Sequence, residues 1–377
     1  MRDASDATHA IFYRNSFAYC AHPQIAVAAN GDWLVVFNMA PRRPFILHPP
    51  EDPLFRNVLI RSYDRGANWS APEVVPDYDW QGTECASLTT LAGGRLMLNQ
   101  WRFHWYPLGL ARRLPTTETL IFPDRLLRGW AQSPEHDADV YRATPPERLA
   151  PWARGGGDCA VHFSDDDGGS WTDSVPIDTA PYAGGYGMRG ACELTNGDLL
   201  LPLSDVPNYR VVFVVRSRDG GRSWHRSIEV ARRDGSEFEE PSLIRLTNGR
   251  LLMLLRDNGT RHLHRCVSDD DGESWSAPQR LPIEGYPPHL LLLSDGRVLC
   301  TYGWRRSDYG IRAVLSADGG ESWETERTIR IRGDLPNKDL GYPCTIADAD
   351  GTLFTVYYGQ DGDGVTCIWG TRWRLPA

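Results

Sequence analysis

The sequence lacks any long hydrophobic run and any segment typical of a secretory leader. Its first six residues carry three charges, so they cannot form the apolar centre of a signal peptide. A membrane-spanning helix needs about 20 consecutive apolar residues, and no stretch approaches that length. We therefore expect no membrane partner and, from the visible sequence, a cytoplasmic protein.

Positive charge is also in deficit. The chain has 40 Lys and Arg against 49 Asp and Glu, which gives a formal net charge of −9 at pH 7. No basic block or stripe interrupts this balance. Proteins that bind nucleic acid concentrate Lys and Arg against the phosphates, so a nucleic-acid partner is not expected.

Cysteines at metal-binding or redox spacing are missing. The eight cysteines are scattered, with no Cys-x-x-Cys pair and no histidine at a metal-ligand distance. Several fall within apolar runs, as Cys300 does in the stretch 298–301. This pattern favours buried free thiols over a disulfide framework. It predicts no cofactor and gives no spacing that supports a metal site.

One short motif is present five times. Its copies have Ser, Asp, Gly and Trp at the first, third, fifth and eighth positions, and they occupy residues 62–69, 164–171, 217–224, 268–275 and 316–323. Four copies have Ser at the seventh position, whereas the first has Asn68. In a tight turn Asp accepts backbone hydrogen bonds, Gly supplies a positive φ and Trp packs on the sheet. We interpret the motif as a structural β-hairpin.

A second repeat alternates with the first. Six apolar runs each lead into a turn glycine and then into another apolar run, at Gly31, Gly94, Gly197, Gly249, Gly296 and Gly351. Asn-Gly or Asp-Gly forms five of these turns, which is a strong hairpin signal. A period of roughly 50 residues with four strands is typical of a propeller blade. The chain is thus predicted to be all-β: one domain over 1–377, a six-bladed β-propeller of four-stranded antiparallel blades.

Closure of the ring is predicted at the two ends of the sequence. Residues around 10–13 are expected to form a strand that pairs with residues 366–373, which would remove free sheet edges. The blades are expected near residues 21–76, from 81 onward, and near 183–233, 235–283, 284–331 and 340–373.

The second blade contains a long insertion, predicted over residues 101–157. It is rich in proline and arginine, and a short helix is expected near 146–149. Long loops at the mouth of a propeller often shape the substrate pocket, which is the interpretation we favour. Contact between subunits of an oligomer stays open as an alternative.

The two repeats in register resemble the sialidase-like β-propellers, whose hairpin motif is called the Asp-box or BNR repeat. The resemblance covers almost the whole chain and implies the six-bladed fold. It is less specific for activity, because Asp-box propellers include other glycosidases, polysaccharide lyases and binding proteins.

A polar residue precedes each of the six inner hairpins. In a propeller the first residues of each inner strand line the central mouth. At that phase the chain has His22, Glu84, Arg189, Glu239 with Glu240, His289 and Tyr342. Six converging polar groups predict a polar pocket at the centre of the ring, which is expected to bind carbohydrate.

The resemblance implies a tyrosine nucleophile that a glutamate activates. Tyrosine has a pKa near 10, so the glutamate must accept its proton before attack. Glu240 followed by Arg256 resembles the family's Glu-then-Arg strand, and Tyr342 resembles the nucleophile. The same comparison implies that Asp52 is the acid/base.

Arginines that bind a substrate carboxylate are also implied, and one of them departs from the family pattern. Arg306, or less favourably Arg312, lies where such an arginine is expected. On the first inner strand, however, His22 replaces an arginine, so the set is incomplete unless Arg189, Arg102 or Arg43 substitutes. Loss of one bidentate Arg–carboxylate contact costs about 2–3 kcal/mol, enough to change the substrate.

The leading hypothesis is therefore an exo-acting, sialidase-like glycoside hydrolase that cleaves a terminal, acidic sugar. A polysaccharide lyase is the first alternative, with a His or Tyr removing the proton beside a uronate carboxylate. His22 in place of the first arginine is the feature that favours it. His22 and His289 are also candidate acid/base groups for a different sugar, since an unperturbed imidazole titrates near neutral pH. A non-catalytic carbohydrate-binding propeller is the second, favoured if apolar side chains of the insertion fill the mouth.

Several candidates also have a structural interpretation. In this interpretation the sole role of Arg256 is to neutralise Glu240, Tyr342 is a core aromatic, and Asp52 beside Pro53 does no more than form a turn. Glu84 has no spacing argument in its favour.

Overall fold

Six sheets, antiparallel except for one short added strand, make up the described part of the protein. The computed structural model describes residues 1–42, 52–76, 81–114, 120–127, 144–206 and 208–376. In chain order the strands are β1 (Arg2–Asp3), β2 (Ser5–Tyr13), β3 (Ala18–Val27), β4 (Trp33–Pro41), β5 (Arg56–Ser62), β6 (Glu73–Val74), β7 (Gln81–Thr90), β8 (Leu96–Pro107), β9 (Trp152–Ser164), β10 (Val175–Pro176), β11 (Gly185–Tyr186), β12 (Cys192–Glu193), β13 (Leu199–Asp205), β14 (Val211–Ser217), β15 (His225–Arg232), β16 (Phe238–Arg245), β17 (Leu251–Asp257), β18 (His262–Ser268), β19 (Gln279–Glu284), β20 (Pro288–Leu292), β21 (Val298–Trp304), β22 (Gly310–Ser316), β23 (Ile329–Arg332), β24 (Gly341–Ala347), β25 (Leu353–Gln360) and β26 (Thr366–Arg374).

These sheets are the predicted six blades. Blade one consists of β3–β6, blade two of β7–β10, blade three of β11–β15, blade four of β16–β19, blade five of β20–β23 and blade six of β24–β26 with β2. The inner strands contact one another from blade to blade, and β24 of the last blade contacts β3 of the first. The six-bladed propeller is therefore confirmed.

The ring closes as the sequence predicted. Strand β2 pairs with β26 in antiparallel register, with Ala10 opposite Gly370. The preceding strand β1 adds in parallel to β23 at the outer edge of blade five, which the sequence did not predict. The first 13 residues thus tie two neighbouring blades together.

Both repeated motifs form the expected turns. In the inner hairpin of blade four, Gly249 has a φ of +89° and donates its N–H to the carbonyl of Leu246 at 3.0 Å. In the Asp-box of the same blade, Asp270 accepts the backbone N–H of Ser274 at 2.9 Å, and the Ser268 hydroxyl accepts the Gly272 N–H at 2.8 Å. The Ser, Asp and Gly positions of the motif are thus hydrogen-bonded inside their own hairpin, which confirms a local structural role.

Alternation of strand direction puts the functional candidates on one face. The inner hairpin turn and the Asp-box turn follow the first and third strands of a blade, so they lie on the same face. The loops after the second and fourth strands lie on the opposite face, which we call the mouth face. The start of each inner strand and the blade-two insertion are therefore on the mouth face.

The insertion is more regular than a loop. Strand β8 runs to Pro107 and β9 begins at Trp152, so both strands extend into the segment that was predicted to leave the blade at residue 101. Within its described part are three short helices, α1 (Leu108–Ala111), α2 (Pro123–Leu126) and α3 (Pro146–Leu149). The helix predicted near 146–149 is confirmed. Leu126 and Leu149 pack against the strand tryptophans Trp105 and Trp152, which fixes the insertion on its blade.

The core lies between the facing surfaces of neighbouring blades. Phe37 of blade one, for example, shares a buried cluster with Val356 of blade six. All eight cysteines are free and buried, as the sequence predicted. Among the described residues, no helix has both the length and the apolar character needed to cross a membrane.

Candidate active site

Bulges in the inner strands aim four side chains at the centre. His22, Cys85, Glu240 and Tyr342 each have a φ between +51° and +54°, and each lies where the register with the second strand shifts. A positive φ costs a residue other than glycine roughly 1–2 kcal/mol. Extra residues at such bulges redirect side chains, and here the repeated distortion turns them toward the mouth.

Tyr342 and Glu240 are in direct contact across the ring. The Tyr342 hydroxyl donates a hydrogen bond to Oε1 of Glu240, although the two residues belong to blades six and four. The second oxygen of Glu240 accepts Nη1 of Arg256 at 2.7 Å. Glu240 and Tyr342 are each 3% exposed. The structure thus brings together three residues that the sequence predicted to form one site.

The electrostatics keep Tyr342 protonated. Burial raises the pKa of Tyr342 well above 10.0, and the negative charge of Glu240 adds to that rise, while Arg256 and Arg305 oppose it. Burial disfavours the charged form of Arg256, but Glu240 and Glu239 still raise its pKa well above the ordinary value of an arginine. The cluster therefore has a neutral phenol, a carboxylate that can accept its proton and a fixed positive charge.

Arg305, rather than the predicted Arg306, faces this cluster. The Arg305 guanidinium carbon is 5.7 Å from the ring centres of both Tyr342 and Tyr286. Its Nε donates to the carbonyl of Leu340 at 3.0 Å. Arg256 lies 4.2 Å over the same Tyr286 ring, so Tyr286 is in contact with both arginines.

The two arginines named from the sequence at this blade lie elsewhere. Arg306 is exposed and pairs with Glu284 at the surface. Arg312 lies on β22, where it stacks on Trp304 at 3.6 Å and pairs with Asp308 at 2.8 Å. Arg305 therefore takes the place that the sequence assigned to Arg306.

A second buried carboxylate, Glu239, lies beside Glu240. It accepts the Tyr186 hydroxyl at 2.8 Å and the side-chain amide of Asn258, and its Oε1 is 3.6 Å from Nε of Arg256. Burial raises the pKa of Glu239; Arg256 opposes the rise and Glu240 adds to it. Asn258 also accepts Nε of Arg256 at 2.6 Å, so it joins the two charged groups.

His22 lies against Tyr342 at the end of a buried polar chain. Its ring centre is 4.0 Å from that of Tyr342, and its Nδ1 is 3.1 Å from Oδ1 of Asn38. Asn38 donates to Asn57 at 2.7 Å, and Asn57 donates to Gln100 at 3.0 Å. Because an amide oxygen only accepts, Nδ1 of His22 carries the hydrogen.

The pKa of His22 does not suit acid/base chemistry at neutral pH. Burial, and then the positive charges of Arg305, Arg256 and Arg189, lower it to about 3, although the Asn38 contact opposes this. The imidazole is therefore neutral over the physiological range. The reason for expecting a titrating His22, an unperturbed pKa near neutrality, does not hold in this environment.

Arg189 and His289 each contact the backbone of another blade. Arg189 falls in the break between β11 and β12, is 4% exposed, and donates through Nε and Nη2 to the carbonyl of Pro288 at 3.1 and 2.9 Å. His289 accepts the backbone N–H of Thr345 through Nδ1 at 3.3 Å. Burial, together with Arg189, lowers the pKa of His289 well below 6.5. Both groups are thus held by backbone atoms.

For two other candidates, Asp52 and Glu84, the structure describes less of the surroundings. Asp52 is 1% exposed, and its Oδ1 accepts the backbone N–H of Leu54 at 3.0 Å, as in a turn that starts β5. Residues 43–51, including Arg43 and most of the loop before Asp52, lie outside the described residues. Glu84 lies on β7 opposite Trp101, but its side chain is outside the described part of the structure.

Arg102, another suggested substitute for the missing arginine, is paired elsewhere. It forms a bidentate contact with Asp158 on the neighbouring strand, at 2.9 and 2.5 Å. Its guanidinium is thus held along blade two.

The cluster opens into a cavity on the mouth face. Its volume is about 350 Å³, and its lining includes Tyr342, Glu240 and Arg256. The lining also has an aromatic and apolar set, Trp101, Tyr186, Met188 and Tyr209, which we call the aromatic wall. Trp101 and Tyr186 stack with ring centres 5.2 Å apart. Charged groups combined with aromatic rings are typical of a sugar-sized pocket.

Sequence reasoning missed the aromatic wall, Glu239 as a partner of Arg256, and Arg305. Trp101 lies at the predicted start of the insertion, and Tyr186 in the short strand before Arg189. A signal for Arg305 existed in the double arginine 305–306 after an apolar strand. Which of the two arginine side chains points inward depends on the residue at which β21 ends. The amino-acid composition does not define that residue.

The fold and this cluster define the protein as a six-bladed Asp-box propeller with a buried Tyr–Glu–Arg site. The chain belongs to the BNR repeat-like domain family, whose model matches residues 149–355. The matched region spans blades three to five together with parts of blades two and six, including Glu240, Arg256, Arg305 and Tyr342.

Individual proteins agree with this assignment. The anhydrosialidase of Macrobdella decora is 28% identical in an alignment of 249 positions that covers 59% of this chain and 31% of that protein. The chain thus matches about a third of that relative. A protein of unknown function from Dyadobacter fermentans has a TM-score of 0.82 at 23% identity, with 100% and 99% of the two chains covered. The intramolecular trans-sialidase of Ruminococcus gnavus has a TM-score of 0.66 at 15% identity, with 97% of each chain covered. The two structures support the fold.

Proposed function

We propose that the protein is a sialidase-like, exo-acting glycoside hydrolase that cleaves a terminal acidic sugar. The contact between the Tyr342 hydroxyl and Glu240, with Arg256 on the other carboxylate oxygen, is the observation that carries the proposal. It joins blades four and six at the centre of the ring, where a purely structural tyrosine needs no ionisable partner. The relationship to an anhydrosialidase supports the substrate class.

The first step of the reaction follows from the hydrogen bond. As the phenolic oxygen of Tyr342 attacks the anomeric carbon, its proton passes to Glu240, and the bond from that carbon to the leaving oxygen breaks. Asp52 stays the proposed donor of a proton to the leaving oxygen. Water then attacks the anomeric carbon and gives a proton to Asp52, the bond from that carbon to the Tyr342 oxygen breaks, Glu240 returns its proton to that oxygen, and the free sugar leaves.

Arg256 and Arg305 provide the proposed carboxylate site. Both guanidinium groups contact Tyr286, and Arg305 also lies over Tyr342, so an anion between them would be next to the nucleophile. Arginine is suited to this role because its planar fork binds a carboxylate through two hydrogen bonds. A neutral phenol also avoids the repulsion that a carboxylate nucleophile would have with such a substrate.

Two alternatives differ in their products. An intramolecular transfer, which the names of the leech and Ruminococcus proteins suggest, would release an anhydro sugar in place of the free one. A lyase would create an unsaturated uronate that absorbs in the ultraviolet. The lowered pKa of His22 makes that side chain a weak base and so gives the lyase less support.

The test is turnover of a fluorogenic sialoside beside a panel of uronides and neutral glycosides, with Tyr342→Phe as the variant. We expect sialoside cleavage that falls at least about 100-fold in Tyr342→Phe, because the nucleophile is lost. Tyr302→Phe is the matched control, since Tyr302 is also a buried tyrosine but lies on β21. Mass analysis of the released sugar separates hydrolysis from intramolecular transfer.

Equal activity in Tyr342→Phe and wild type would contradict the proposed nucleophile. Turnover of a uronide but of no sialoside would indicate that the replacement of the expected arginine by His22 changes the substrate from a sialoside to a uronide. Binding of a sugar without turnover of any compound in the panel would favour the non-catalytic propeller.

A further inference from the structure

A second cavity lies next to the candidate active site. Its volume is about 390 Å³, and it is lined by residues 232–237 and by Arg210. Residue 210 lies in the loop from β13 to β14, and residues 233–237 connect β15 to β16. Both segments are on the mouth face, so the two cavities open in the same direction.

The same two segments contribute to both cavities. Asn208 and Tyr209 line the Tyr342 cavity, and the next residue, Arg210, lines the second. In the other segment, Glu237 lines both cavities. A ligand that extends from the Tyr342 cavity past Glu237 would therefore enter the second cavity.

Arginine dominates the charge of this second cavity. Three guanidinium groups, from Arg210, Arg232 and Arg233, face two carboxylates, from Asp234 and Glu237, a difference of 3 − 2 = +1. Arg232 is already paired with Glu229 at 2.9 Å. Within the residues that the structure describes, Arg210 and Arg233 are exposed and form no ion pair.

The backbone holds both arginines in place. The Asp205 carboxylate accepts the backbone N–H of Arg210 at 2.7 Å and that of Val211 at 2.6 Å, which fixes the first loop. In the second, Ser236 donates its N–H to the carbonyl of Arg233 at 3.1 Å across a turn that contains Gly235 at a φ of +76°. Two unpaired guanidinium groups on ordered turns are suited to bind an oxyanion.

We propose that Arg210 and Arg233 form a subsite for a second anionic group of the substrate, carried by the sugar next to the one that is cleaved. The group is a carboxylate or a sulfate ester, since both present the oxygens that guanidinium binds. This inference rests on the proposed function, because it extends the substrate of the same site. It predicts a preference for glycans that are acidic at two successive sugars.

The test compares three substrates that share the terminal sugar. They are sialyllactose, the same trisaccharide with a sulfate on its galactose, and a disialoside whose leaving sugar bears a carboxylate. We expect wild type to have a KM about tenfold lower for the two doubly anionic substrates, the effect of one exposed charge-assisted contact. In Arg210→Ala/Arg233→Ala this preference is expected to disappear, while kcat and KM for sialyllactose stay unchanged.

Arg222→Ala is the matched control, because Arg222 is an exposed arginine in the Asp-box of blade three, on the opposite face. It should keep the preference. A preference for the sulfated substrate alone, or for the disialoside alone, identifies the anion. Equal KM values for all three substrates in wild type, or an unchanged preference in the double variant, would overturn the subsite.

Failure of the proposed function gives a different result. If no sialoside is cleaved, binding of sulfated lactose, which lacks the terminal acidic sugar, is measured by ligand-observed NMR. Binding to wild type and Arg222→Ala but not to the double variant would support the subsite on its own. Equal binding by all three proteins, or binding by none, would contradict it.

Discussion

At the scale of single residues, two adjacent arginines show how strongly one step along the chain changes a role. Arg305 follows the last residue of β21 and turns inward over Tyr342, whereas Arg306 turns outward to Glu284. Both have the same chemistry and nearly the same position in sequence. The position of each residue after the end of β21 decides its role: Arg305 becomes a candidate substrate ligand, and Arg306 becomes part of a surface ion pair.

This difference gives a direct prediction for substrate binding. Arg305→Ala should raise KM for a sialoside about 10- to 100-fold, because a charge-assisted contact to the substrate carboxylate is lost. Arg306→Ala should change it less than about twofold, since an exposed ion pair contributes little. Steady-state kinetics on both variants, with circular dichroism to verify folding, is the measurement. A larger effect in Arg306→Ala than in Arg305→Ala would support Arg306, the arginine predicted from the sequence, as the substrate ligand.

Residues also differ in how far the sequence could define them. Glu240 and Tyr342 were predicted because each lies at the repeated phase where an inner strand starts, and Arg256 because its spacing after Glu240 resembles the family pattern; the structure brings the three together. Arg305 has neither signal, and Glu239 shares the phase of Glu240 but was given no contact of its own. Glu239 immediately precedes Glu240, and only the bulge at Glu240 places both carboxylates in the same site.

At the scale of elements, the hairpins were the most predictable part of the protein. Each Asp-box and each inner hairpin is satisfied by hydrogen bonds within about ten residues, so a local pattern defines it. The insertion shows the opposite case. Its two ends continue β8 and β9, because the pairing partner of each lies across the whole insertion and no local pattern reveals it.

The Asp-box predicts a specific dependence of stability on pH. Hydrogen bonds from Ser274, through its hydroxyl and its backbone N–H, lower the pKa of Asp270 from 3.8 to about 2. A lowered native pKa stabilises the fold above about pH 4, and the contribution is lost as the pH falls through about 2. Asp166 and Asp219 are lowered to about 2 in the same way, by Ser170 and Ser223.

We therefore expect Asp270→Asn to be less stable than wild type at pH 6, with the difference shrinking as the pH falls from about 4 to about 2. Thermal unfolding followed by circular dichroism across this range is the measurement. Asp271→Asn is the control, because it removes the same charge at the next, exposed position of the turn. A stability difference that stays constant with pH would show that the Asp270 charge does not stabilise the turn.

At the scale of the whole molecule, the propeller depends on a closure made by a distant part of the chain. Blade six takes its outer strand, β2, from residues 5–13, and Ala10 of that strand pairs with Gly370, 360 residues further along the chain. Such a contact closes the ring, but its formation costs chain entropy during folding, because almost the whole chain lies between the two paired strands. Tyr342 and Glu240 belong to different blades, so the geometry of the site depends on how well the ring is closed.

Removal of residues 1–13 should therefore impair both stability and activity. Strand β26 would become an edge strand with unpaired backbone groups, which favours association with other chains. We expect a lower unfolding temperature, oligomers or aggregates in size-exclusion chromatography, and reduced turnover of any substrate that the full chain cleaves. Removal of residues 1–4 is the matched control, because it deletes β1 from the edge of blade five and leaves β2 in place. If both truncations behave like the full chain, closure by β2 is not what holds the Tyr342 site together.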